Sequence, residues 1–162
     1  MNLKETLIAE HSKKQCDRIV HWIGNDKDRF DELIELFFVG EYRISQRASW
    51  PMSYCVKNHP EWALTYFKHL LDILEKKEVH DAVKRNIVRL LQNVKIPAKY
   101  SGRLMSICFD FIQSNDIAVA IKAFSLTILG NLSRQYPEII PELKLIIEER
   151  REIETSAFRS RG

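Results

Sequence analysis

A chain of 162 residues, 45% hydrophobic and 29% charged, has an ordinary globular make-up and the length for one domain with a real core. Its 25 cations against 22 anions leave a formal charge of +3, which permits an anionic partner but falls far short of the dense basic excess of a typical nucleic-acid binder. Five glycines and five prolines are too few for a many-turned β fold, and three scattered cysteines, Cys16, Cys55 and Cys108, make no disulfide framework.

In chain order the sequence predicts one helix after another. MNLKETLIAEHSKK lacks the apolar core of a signal peptide, and no apolar run reaches the ~20 residues that span a bilayer. With free cysteines in apolar-periodic segments, this predicts a reducing, cytoplasmic setting. A helix near Ser12 to Ile23 precedes one capped by Asn25 or Asp26 and running to Phe38. The stretch EYRISQRASWPMSYCVKNHPEW, Glu41 to Trp62, reads as helical although Pro51 sits inside it; a proline there removes a hydrogen bond and kinks the helix. Pro60 opens an amphipathic helix through Leu74, His80 to Val94 carries the next apolar stripe, and Ile96-Pro97 breaks it. Leu104, Ile107, Cys108, Phe111 and Ile112 mark another helix. Ser114-Asn115-Asp116 offers cap chemistry before a very apolar helix over 117–134. Pro137 opens the last helix, to about Ile153, and TSAFRSRG forms a tail that either hangs free or docks through Phe158.

Two markers recur along this series. Arg47 and Arg85 stand 38 residues apart, and Arg85 and Lys122 stand 37 apart; Pro60, Pro97 and Pro137 follow at 37 and 40. A period of about 40 residues with two helices per unit is that of stacked helical pairs. The units run 41–76, 79–113 and 116–153, after helices in 3–38 and before the tail 154–162, all within one domain, 1–162.

The pattern resembles HEAT repeats, whose second helix opens on an acid and carries Arg or Lys before a small residue: Glu41 with Arg47-Ala48, Asp116 with Lys122-Ala123. The middle unit departs, with Val79 where the acid should stand. The chain is also similar to small uncharacterised bacterial HEAT-like proteins. The resemblance implies an all-α fold, a right-handed α-α superhelix of antiparallel helix pairs, with a concave face lined by second helices.

Candidate site residues lie on those second helices. Arg43, Arg47, Arg85, Arg89 and Lys122 could line one edge with cations for an anionic partner. Their structural reading is an internal ladder, Arg47 and Lys122 pairing with Glu41 and Asp116 in the seam between units. Lys84 belongs to the same basic cluster. Trp50, Tyr54 and Trp62 could anchor a peptide or stack a base, or they are core. Asn86 and Asn93 either satisfy loop carbonyls or point into the groove. Five histidines show no ligand spacing, so no metal and no cofactor is predicted, and no nucleophile elbow, phosphate loop or dinucleotide fingerprint occurs.

The leading expectation is a non-enzymatic scaffold binding a protein or peptide on its concave face. A nucleic-acid-binding module related to HEAT-like DNA-alkylation-repair proteins is the alternative, although their aromatic-plus-Asp set is not found at matching positions. A lyase-type enzyme, on family naming alone, is the third. The sequence does not set the oligomeric state.

Overall fold

A computed structural model of the protein describes residues 1–39, 41–151 and 153, so the expected docking of Phe158 lies outside the described residues. These residues form two compact units that divide between Lys95 and Ile96. Among them there is no strand.

The first unit opens with α1 (Leu3–Ala9), whose amino end is capped by the Asn2 carboxamide accepting from Glu5 N–H at 3.0 Å. Ser12 caps α2 (Lys13–Ile23), its hydroxyl accepting from Gln15 N–H at 3.1 Å. Gly24 ends α2 at φ 49°, a conformation that L side chains rarely adopt. The Asp26 carboxylate accepts from Asp28 and Arg29 N–H and starts α3 (Lys27–Val39), as the sequence implied. Then come α4 (Tyr42–Asn58), a 3-10 turn (Pro60–Tyr66), α5 (Phe67–Glu75) and α6 (Asp81–Leu91). Pro60 thus opens a tight 3-10 coil and the α-helix starts only at Phe67.

Helix α4 is the centre of this unit. It packs against α1, α2, α3, α6 and the 3-10 turn. Its buried stripe includes Ile44, Ala48, Met52, Cys55 and Val56, and Ala48 and Met52 are fully buried. The small side chain at Ala48 lets neighbours approach, and Met52 fills what remains. Phe30 of α3 lies under this assembly with no exposed surface. Its ring sits 5.2 Å from Trp62 and 6.4 Å from Tyr66, and Tyr66 Oη donates to Asp31 at 2.7 Å. Trp62 is therefore a core residue that joins α3 to the 3-10 turn, with His59 stacked on it at 3.9 Å.

Pro51 does not end α4, which is α-helical from Tyr42 to Asn58. A proline here leaves the Arg47 carbonyl without its usual helical donor. The ring itself is buried and lines a small cleft with Leu7, His11, Cys16, Ile19 and Trp50, where α1 and α2 meet α4. Packing against neighbouring helices supports the α-helical run through this position, where the helix's own hydrogen bonding is broken.

The second unit holds α7 (Ala98–Gln113), α8 (Val119–Ser133), a 3-10 turn (Pro137–Ile139) and α9 (Ile140–Arg151). Helices α7 and α8 form its main pair, α9 packs on α7, and the turn touches α8 and α9. Leu104, Cys108, Ile121, Ile128 and Leu129 make its core. Ala118, not Asp116, stands at the start of α8 and offers no side-chain cap; Ser114 instead accepts from Asp116 N–H within the loop. Arg150 of α9 donates to Ser114 O and to Asn115 Oδ1 at 2.6 Å, tying the last helix to that loop.

Burial also corrects the register of the repeat. Lys84 and Lys122 are each the fourth residue of their helix, and they are 6% and 2% exposed. They stand 38 residues apart, as do Val83 and Ile121, Leu90 and Ile128, and Leu91 and Leu129, all buried. The counterpart of Lys122 is thus Lys84, while Arg85, expected there, is exposed. Two adjacent cations in VKRN made the one-residue slip invisible in the sequence.

Candidate functional site

The expected surface residues divide by unit and by burial. Lys122 lies in the second unit and is buried, so it is no surface cation. Burial first, and the nearby Arg150 charge second, hold its ammonium below the usual lysine range, with Asp116 acting the other way. Lys84 is held low by burial as well, opposed by Asp81 and Glu78. Both are interior cations.

In the first unit Arg47 is half-buried, and it pairs with no carboxylate among the described residues. Its Nη1 donates to Leu7 O at 2.9 Å and Ile8 O at 3.0 Å. These are carbonyls of the last turn of α1, a helix end that needs donors and attracts positive charge. The expected pairing with Glu41 gives way to this cap. The sequence carries no signal for it, because the acceptors are backbone atoms of a residue pair 39 and 40 positions away. Replacing Arg47 by alanine should free the end of α1 and cost about 1–3 kcal/mol. Amide exchange across Leu3–Ala9 should then quicken while that of α3 holds; unchanged α1 protection would show the cap to be idle.

Trp50 and Tyr54 are half-buried on the flank of α4 that faces α1 and α2. Trp50 meets the His11 ring edge-on at 5.3 Å, and Lys13 Nζ lies 4.4 Å over the Tyr54 ring. Beside them Arg43 is exposed, and no hydrogen bond or ion pair reaches it among the described residues. On α6, Arg85 is exposed and similarly unengaged, and Arg89, one turn on, is exposed too. Helix α3 lies against α4, α5 against α6, and α4 against α6. On these packed second helices Arg43 of α4 and Arg85 and Arg89 of α6 are exposed, while Trp50 is half-buried towards α1 and α2. Asn93 is exposed just past the end of α6, whereas Asn86 is buried and donates back to Ala82 O at 2.8 Å in its own helix.

One feature was not read from the sequence. The ends of α3 to α6 enclose an open cleft of about 570 Å³, lined by Phe37, Phe38, Ile73, Val79 and Val83 and crossed by Tyr42 and His80. Tyr42 Oη and His80 Nε2 are 3.1 Å apart, and His80 Nδ1 accepts from Ala82 N–H at 3.0 Å, capping α6. The two residues stand 38 apart, the repeat period, which was the available signal.

Among the described residues no carboxylate is buried, and no group of His, Cys, Asp and Glu could hold a metal ion. No helix among them is long and apolar enough to cross a membrane.

Helices paired in series, with second helices packed side by side and a 38-residue repeat of buried positions, define an all-α helical-repeat protein. Residues 3–160, nearly the whole chain, match the HEAT repeat domain, and the chain belongs to that family. No curated protein and no solved structure shows significant similarity to it.

Proposed function

We propose that the chain is a non-enzymatic scaffold that takes a protein or peptide partner on the open stripes of α4 and α6. The observation that carries this reading is the pair of exposed, unengaged cations on two packed helices, Arg43 on α4 and Arg85 on α6, with the half-exposed Trp50 two turns along α4 from Arg43. Aromatic and arginine side chains exposed on packed helices are the usual anchors of a protein interface. HEAT repeats commonly mediate protein interactions, which supports the same assignment. The three cysteines are free and buried, which suits a reducing, cytoplasmic setting.

The test is selection from a random-peptide library on the purified chain. Enriched peptides should bind Arg43→Glu/Arg85→Glu protein at least about tenfold more weakly. They should bind Glu32→Lys/Glu35→Lys protein, altered on exposed positions of α3, as well as the parent. Peptides indifferent to the first pair, or no enrichment at all, would end this reading. Circular dichroism checks that all variants stay helical.

A further inference from the structure

We infer that the segment bound by this face is acidic, its carboxylates held by the arginines of α4 and α6 and an apolar residue seated against Trp50. This rests on the α4–α6 reading above and names the chemistry of its partner.

The charges on the two stripes are unequal. Arg43, Arg85 and Arg89 stand exposed there against two exposed acids, Glu41 at the cap of α4 and Asp81 at the start of α6. Arg47 adds a positive charge on the α4 side, its guanidinium fixed to the end of α1 and so unable to swing away. A fixed positive field of this kind draws an anionic chain and favours it over a neutral one.

The form of the surface favours an acidic peptide over a nucleic acid. The cations are few and lie on two separate helices rather than in a continuous track for a phosphate backbone. Arginine grips carboxylates through two parallel hydrogen bonds, and Glu and Asp side chains can reach cations at irregular spacing. The Trp50 ring, already in contact with His11, is a packed anchor for one apolar side chain rather than a platform open for successive bases.

The peptides enriched in the selection above decide the matter. They should carry more Asp and Glu than the input library, and their affinity should fall at least about tenfold between low and high salt. Synthetic versions with Gln and Asn for Glu and Asp should lose binding, and Arg85→Lys protein should retain part of it while Arg85→Glu does not. Peptides that need Arg43 and Arg85 but show no acid enrichment would overturn this inference and leave the scaffold reading standing. Peptides that ignore those arginines would overturn both. A single-stranded oligonucleotide that binds the same arginines more tightly than any selected acidic peptide would also overturn the inference.

Discussion

Phe30→Ala should destabilise the first unit by about 3–5 kcal/mol, the most damaging single truncation on α3. Phe30 is fully buried, and its ring is the meeting point of Trp62 and Tyr66, which tie the 3-10 turn to α3. Alanine there removes the apolar contact and leaves a cavity that the rigid helix pair cannot close. The loss spreads to the polar edge, because Tyr66 holds Asp31, the residue following Phe30. Phe30→Leu, which keeps much of the volume, should cost clearly less. Urea unfolding followed by tryptophan fluorescence reads both variants. A loss below about 1 kcal/mol for the alanine variant would mean that the turn repacks onto α3 and that the aromatic cluster is dispensable.

The second large effect lies in alkaline solution. Burial pushes the Cys108 thiol up from 9.0 to about 12, and the neighbouring Ser125 hydroxyl, which acts the other way, does not offset it. The native state therefore keeps its proton where the unfolded chain has lost it. A group of this kind contributes stability in full below pH 9 and loses it as pH rises towards 12. For a thiol without exposed surface that is on the order of a few kcal/mol. Cys55, raised to about 12, and Cys16, raised to about 11, both chiefly by burial, act with the same sign, as does the raised phenol of Tyr66. Lys84 and Lys122 act oppositely: their folded values lie below 10.5, so their cost is relieved as pH approaches 10.5. The acids outnumber them, and stability should fall steeply above pH 9. Cys108→Ala should flatten part of that fall, whatever its effect at neutral pH. An alkaline slope identical in parent and variant would show that Cys108 is not among its causes.

Much of the architecture was legible in the chain because it follows from apolar spacing. Helices beginning at Ser12 and Asp26, the buried cysteines and the core placement of Trp62 are all consequences of periodicity and cap chemistry. The helical-pair repeat was legible for the same reason, and its family follows from it. What escaped was decided by three-dimensional neighbours. The 3-10 coils after Pro60 and Pro137 reflect local winding that apolar spacing does not encode. Arg47 looked like a partner for Glu41, but a side chain reaching distant carbonyls leaves no trace in a pattern of residue types. Lys84 and Arg85 are neighbours of like chemistry, and only burial tells which one faces the interior. On the candidate face, the residue types at Arg43, Trp50, Arg85 and Arg89 were readable, whereas the removal of Lys122 to the interior was not.

Helix α4 packs against five other elements of its unit. A change at its buried positions must satisfy several neighbours at once, so neutral drift there is slow and single substitutions have few escape routes. Arg43, exposed on this helix, bears on none of those neighbours, whereas Trp50 meets His11 and lines the cleft shared with α1 and α2. On the proposed binding role, specificity can therefore be rewritten at Arg43 without renegotiating the fold, which makes that end of α4 the place where a new specificity could be grafted by changing very few letters.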